Sequence, residues 1–330
     1  MPFAVAVDAG GTSTRCVVVE SGGRCLGYAK TGSGNPVSGG VDLAAASVGR
    51  SVSKALERSG VPGQAVEAVI FSMAGALVEG QMDSFVESLR RLGVERHPVL
   101  KGDLLGSFCS GTPQLDGYAL VCGTGAGAAR IVDGEMVAVH DSMGWLIGDN
   151  GSGFWIGSRV VRAAFADLDG RGPHTALTGL LLNRLGLTRS DRRVEGGRSE
   201  TEVRAMQMIY AMRPVEMSKF AGLAFEADDE VAREIVDQAA EELAQTLLSV
   251  ATDITGPVVL AGGVICNQPG LAAAVQKLAK SMPATEFRVV KDGTVGAAVL
   301  SLRELGETVG RGEFDTIVGS LAKIRADEPG

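Results

Sequence analysis

The chain has 330 residues with 31 Lys and Arg against 39 Asp and Glu, a net charge of −8, and is 45% hydrophobic and 21% charged. That is the composition of a globular chain long enough for two domains. The acidic balance, with no Lys/Arg run, argues against nucleic acid as a partner. No stretch of about 18 apolar residues is present to span a membrane.

The N-terminal "MPFAVAVDAGG" turns polar too early for a signal peptide and lacks a basic n-region. The five cysteines (Cys16, Cys25, Cys109, Cys122, Cys266) are scattered and odd in number. They read as reduced and cytoplasmic. His97, His140 and His174 lie far from any Cys pair, so a structural zinc or calcium site is not expected.

In chain order, 4–20 reads as two strands around the loop Asp8-Ala9-Gly10-Gly11-Thr12-Ser13-Thr14, and 24–29 as a third strand. Apolar spacing predicts a helix over 41–59, stopped by Gly60 and Pro62. A strand over 65–75, a helix over 78–93 and a strand over 97–103 ending on Asp103 follow. Alternating strands and helices imply a partly parallel α/β sheet. The pattern then restarts: 117–140 is again strand, Gly-Thr-Gly turn, strand, tight turn, strand. A duplicated unit implies two similar lobes.

Residues 141–157 read as a Gly-rich connector, followed by helices from 158 and 175. A polar stretch over 187–204 runs from loop into helix, and a long helix covers 228–253. Residues 256–270 are strand, Gly-Gly, loop and helix, and 286–306 are strand, turn and helix. The last stretch, 305–330, carries no motif.

The glycine loop after the first strand is not a dinucleotide fingerprint, because 15–20 is β-branched and continues as strand rather than opening a helix. No Walker A string occurs anywhere. A hairpin turn of Gly and Thr still exposes backbone N–H groups and hydroxyls to phosphate. Asp8 beside it cannot face bare phosphate, so a cation between them, Mg²⁺ through water, is expected. Two such loops, one per lobe, would grip a polyphosphate. The Gly-Gly of 260–267 would let a flat adenosine lie on backbone.

These motifs resemble the sugar-kinase, actin and Hsp70 superfamily, and within it the BadF/BadG-type ATPases of the N-acetylglucosamine kinase kind. "DAGGTST" (8–14) resembles the first phosphate motif, "GTGAGA" (123–128) the second and "AGGV" (261–264) the adenosine motif. "GSGNP" (32–36), "GDLLGSF" (102–108), "GWLIGDNGSGFWIG" (144–157) and "FAGLAFEA" (220–227) resemble further family segments. The resemblance implies an α/β fold of two actin-like, ribonuclease H-like lobes around a central cleft. The expected first lobe is 1–115 and the second 116–330, with the C-terminal segment packing back on the first.

The resemblance also implies a site. ATP would be bound by Gly10, Gly11, Thr12, Ser13, Gly123, Thr124, Gly125, Ala221, Gly262, Gly263 and Asn267. An amino sugar would meet Asn35, Gly127, Gly144, Trp145 and Asp149, with Asp103 as general base and Asp8 on Mg²⁺. Several have a plainer role available: Asp103 as a helix cap, Asn35 as a turn residue, Trp145 as core. The family usually has Asp-Glu where this chain has Asp149-Asn150, and a Ser where it has Ala74. The zinc motif of the repressor branch and the cluster cysteines of the dehydratase-activator branch are absent. The expected activity is ATP-dependent phosphorylation of N-acetylglucosamine or glucosamine at the 6-position by a cytoplasmic homodimer. The rivals are an ATPase that energises a partner protein and a sugar- or nucleotide-sensing module.

Overall fold

A computed structural model describes residues 1–36, 40–73, 81–190, 192–194 and 196–326. Strands β1 (Phe3–Ala9), β2 (Thr14–Glu20) and β3 (Cys25–Thr31) form an antiparallel meander. Helix α1 (Val41–Ser59), a 3-10 turn at Gly63–Ala65 and β4 (Val66–Met73) follow. Then come α2 (Met82–Arg90), β5 (Val99–Gly102) and α3 (Asp103–Gly111). β4 lies parallel to β1, and β5 parallel to β4, giving the order β3-β2-β1-β4-β5.

The second half repeats this plan. β6 (Gly117–Cys122), β7 (Ala126–Val132) and β8 (Glu135–Asp141) form the second meander. Helices α4 (Gly153–Leu168), α5 (Ala176–Arg184) and α6 (Glu200–Tyr210) come next. A 3-10 helix at Pro214–Phe220, α7 (Leu223–Glu226) and α8 (Glu230–Ser249) lead into β9 (Gly256–Ala261). After α9 (Gly263–Asn267) and α10 (Pro269–Leu278), β10 (Ala284–Val290) closes the sheet. Its order is β8-β7-β6-β9-β10, with β9 parallel to β6 and β10 parallel to β9. The two α/β sheets therefore share one topology, and the glycine loops occupy the same corner of each. Helices α11 (Thr294–Glu304) and α12 (Arg311–Ala326) end the described chain.

Alternation along the central strands sets the layers. In β1, Val5, Val7 and Ala9 face α1 and α2, while Ala4 and Ala6 face a middle layer of α3, α11 and α12. Both faces are buried, as a central strand flanked by helices requires. The second sheet presents Ala119, Ala129 and Val259 to the same middle layer. Its other face, with Tyr118, Leu120 and Leu260, packs against α4, α5, α8 and α10.

Two details differ from the sequence expectations. Residues 153–157 are not connector but the first turn and more of α4, because the Ser152 hydroxyl caps the helix by accepting the Trp155 N–H at 3.2 Å. The helix expected over 78–93 is described as Met82–Arg90; residues 74–80, including Ala74, lie outside the described residues. The motif-free terminus holds α12, whose Phe314, Ile317 and Leu321 bury against β3 and the middle layer. Its Ser320 hydroxyl accepts the Cys25 N–H at 2.9 Å.

Candidate active site

Asp8 continues the Ala4–Ala6 face of β1, so it points into the middle layer between the sheets. Helices α3 and α11 cross there at a contact too close for side chains: a Cβ on Gly296 would run into the Gly106 carbonyl of α3. That approach brings the starts of both helices beneath Asp8. The Gly293 N–H donates to Asp8 Oδ2 at 3.1 Å, and Arg15 Nη1 lies 3.4 Å from the same oxygen. Arg15 Nε is 3.5 Å from Asp292 Oδ2. Asp8 is 8% exposed. Burial, with the Asp292 charge beside it, pushes its carboxyl up to about 7, against the opposing pull of Arg15.

Asp103 is the first residue of α3, where the helix dipole favours a carboxylate. Its Oδ1 accepts the Leu104 N–H at 3.0 Å. The N-cap position belongs to Gly102, so Asp103 is not the capping residue. Burial raises its pKa above the usual carboxylate range, and the charge of Asp149 adds to this. Asp103 in turn raises Asp8. Asp103 is thus within electrostatic reach of Asp8 on the first lobe and of Asp149 on the second.

The segment 32–36 is pinned to the first glycine loop. The Gly34 N–H donates to the Gly10 carbonyl at 3.2 Å. The Thr14 and Ser47 hydroxyls donate to the Gly32 carbonyl at 2.9 and 2.8 Å. Asn35 is thereby carried beside Gly10, Gly11 and Thr12. The loop closes by the Gly10 N–H bonding to the Ser13 carbonyl at 3.0 Å. Gly10, Gly11 and Thr12 are partly or fully accessible, and Ser13 is buried.

The second loop, Gly123-Thr124-Gly125, sits on the N-terminus of α4. The Gly153 and Phe154 N–H groups donate to the Gly123 and Thr124 carbonyls at 2.8 and 3.1 Å. Behind it stands Asp149, whose Oδ1 accepts the Ala126 N–H at 3.2 Å. Asp149 is held in a left-handed conformation, φ 57°, by Asp141, which accepts the Asp149 and Asn150 N–H groups at 2.6 and 2.9 Å. Such non-glycine strain persists only where surroundings enforce it. Burial raises the Asp149 pKa, while hydrogen bonds from Ala126 and Gly144 oppose this. On the other side of the loop lies Gly262 at φ 103°, where any Cβ would strike the Cys122 carbonyl. Gly263 is exposed beside it, and Asn267 folds back to donate to the Gly263 carbonyl at 2.7 Å.

Three residues of the sequence-derived set stand apart from these loops. Ala221 is 4% exposed, packed in the second lobe's core. Gly127 is buried in β7 beneath Ser142. Trp145 is 39% exposed and rests on Phe154, ring centroids 5.4 Å apart. Two site residues were missed by sequence reading, Arg15 and Asp292. Asp292 follows β10 and precedes α11, the place in the repeat that Asp103 holds between β5 and α3. Carrying the repeat through its last strand–helix unit would have found it.

The donor set suits Mg²⁺. Asp8 and Asp292 are two carboxylates bridged by one guanidinium, and the charge of Asp292 raises the pKa of Asp8. Among the described residues no cluster of three or more acidic, His or Cys groups forms a cage. Mg²⁺ held by one or two carboxylates, waters and substrate phosphates needs none.

The sequence model of the BadF/BadG/BcrA/BcrD ATPase family matches residues 5–301. The chain belongs to that family. Among its curated relatives, the N-acetyl-D-glucosamine kinase of Dictyostelium discoideum is 28% identical over 322 residues, 90% of this chain and 97% of that one. The glucosamine kinase GspK of Vibrio cholerae is 28% identical over 189 residues, 56% of this chain and 61% of that one. A solved structure of a candidate N-acetylglucosamine kinase from Chromobacterium violaceum superposes with a TM-score of 0.66 at 22% identity, covering 91% of this chain and 99% of that one. The two α/β sheets of one topology agree with this likeness. Among the described residues no helix is long and apolar enough to cross a membrane.

Proposed function

We propose that this chain transfers the γ-phosphoryl group of ATP to the 6-hydroxyl of an amino sugar, N-acetylglucosamine in preference to glucosamine. The observation that carries the reading is Asp103: a half-buried carboxylate at a helix start, within electrostatic reach of Asp8 of the first lobe and Asp149 of the second. Family membership and the amino-sugar kinases among the relatives support the substrate class.

In this reading the loops 10–13 and 123–125 hold the phosphates through backbone N–H groups and hydroxyls. Gly262, Gly263 and Asn267 carry the adenosine. Ala221, being buried, contributes to that side only as packing beneath it. Asn35 and Asp149, with the Gly144–Trp145 backbone, orient the sugar, and Gly127 acts by letting Ser142 and the connector close on β7. Asp103 accepts the proton of the 6-hydroxyl while the sugar oxygen bonds to the γ-phosphorus and the bond to the β-phosphate oxygen breaks, releasing ADP. A raised pKa makes Asp103 a stronger base than an ordinary carboxylate, and such help is worth roughly 10²–10⁴-fold. Asp8 and Asp292 would hold Mg²⁺ through water, and the ion would neutralise charge on the phosphates. Positioning supplies much of the remaining rate.

The reaction is placed in the cytoplasm, which the free state of all five cysteines supports. A homodimer is part of the same proposal, on the family resemblance. The test is ADP release with and without sugar. A kinase releases ADP only when amino sugar is present. Equal hydrolysis without sugar would instead support the partner-energising ATPase, and binding without turnover the sensing module.

A further inference from the structure

Helix α12 lies outside every motif, yet its last turn reaches the acid pair. Arg325 Nη2 lies 2.9 Å from Asp292 Oδ1, an oxygen that also accepts the Thr294 N–H at 3.0 Å. The other Asp292 oxygen faces Arg15, and Arg15 faces Asp8. Four charges thus alternate in one chain: Arg325, Asp292, Arg15, Asp8. The Arg325 guanidinium also sits 4.7 Å over the Tyr28 ring of β3. Its Nε is buried with no partner among the described residues.

That last feature separates two explanations. A side chain kept only to cover Tyr28 could be Met, with no buried donor to leave unmatched. The charged Nη2 donor set on Asp292 Oδ1 is what Arg supplies and Met does not. Without Arg325, Asp292 would keep only Arg15 as a cationic partner among the described residues, and Arg15 would be drawn from Asp8 toward it. We propose that Arg325 is a positioning residue: by holding Asp292, it leaves Arg15 divided between the two carboxylates and keeps Asp8 and Asp292 set to receive the Mg²⁺ of the nucleotide. The C-terminal helix is then part of the cation site, although it is over 280 residues from Asp8 in sequence. The proposal rests on the assignment of Mg²⁺ to Asp8 and Asp292.

The test is calorimetric binding of ADP with Mg²⁺ and with EDTA, the ratio of the two affinities being the readout. Three variants are compared with the parent: Arg325→Gln, Arg325→Lys and Ile317→Ala. Ile317 is fully buried in the same helix, two turns before Arg325, and packs in the apolar cluster of the middle layer. Arg325→Gln should lower the Mg²⁺-dependent gain at least fivefold and leave ADP affinity in EDTA unchanged. Arg325→Lys, which keeps the charge and guards against misfolding of the Gln variant, should lower the gain about twofold. Ile317→Ala should lower the melting temperature and leave the ratio as it is. An unchanged ratio in Arg325→Gln and Arg325→Lys, or an equal fall in Ile317→Ala, overturns the positioning role alone. A parent protein with no Mg²⁺-dependent gain overturns this role and the Mg²⁺ assignment together.

Discussion

Asp8→Asn should make the metal-free protein more stable at pH 8 while removing its activity. The carboxyl of Asp8 is raised from 3.8 to about 7 by burial and by Asp292. A raised acid has its full stabilising share below the unfolded value and loses it as pH climbs through the folded value. The window is therefore from about 4 to about 7, and stability declines across it as the folded protein is forced to ionise Asp8. At about 1.4 kcal/mol per pH unit, the ionised form costs about 4 kcal/mol at pH 8. Asn is nearly isosteric, can still accept the Gly293 N–H, and carries no charge to desolvate. In EDTA at pH 8, calorimetric melting should show the variant higher by about 5–10 °C. At pH 4.5 the two proteins should melt within about 2 °C of each other. Turnover should fall at least about a hundredfold in Mg²⁺. A variant that melts lower than the parent at pH 8 by as much as at pH 4.5 would refute the reasoning, since Asp8 would then be a stabilising partner of Arg15 rather than a strained acid.

Asp103→Asn should cut kcat at least about a hundredfold with little change in melting temperature or ATP affinity, because among the described residues the side chain bonds only to its own helix start. The parent's kcat/KM should fall on the acid side with a midpoint above the ordinary carboxylate value, and a steady-state pH series checks both statements. Gly123→Val should raise KM for ATP more than for sugar: its Cβ meets the Gly263 nitrogen only at an ordinary 3.8 Å, so the chain still folds, and the branched side chain crowds the loop assigned to phosphate. Gly262→Ala should instead yield little folded protein, because its φ of 103° and the Cys122 carbonyl leave no room.

The repeat was legible because both copies place β-branched or small apolar residues around a Gly-Thr turn, a pattern set within about 25 residues. Helix α1 was legible to the residue, ended by Gly60 at φ 69° with its N–H on the Leu56 and Glu57 carbonyls. The start of α4 was hidden because Gly153 and Gly157 lower helix propensity. Gly157 is nonetheless required where the Met217 carbonyl presses on the helix, a contact set by folding and not by local sequence. Asp8, Asp103 and Asp149 could be named from motifs. Asp292 was hidden in "KDG", which reads as an ordinary turn, and Arg15 in a strand where its partners are 7 residues behind and 277 ahead. Arg325 becomes visible only when α12 is folded against β3. Charge networks of this kind join residues by the crossing of α3 and α11, and no spacing rule along the chain encodes that crossing.

The most direct test of the amino-sugar kinase assignment is a panel of kcat/KM values for glucose, glucosamine, N-acetylglucosamine and N-acetylmuramic acid at saturating Mg²⁺-ATP. A site that hydrogen-bonds the 2-substituent rejects a sugar lacking it far more strongly than an apolar pocket rejects a missing methylene. The account predicts that N-acetylglucosamine exceeds glucose by at least about a hundredfold, with glucosamine second, and equal values for glucose and N-acetylglucosamine would contradict it.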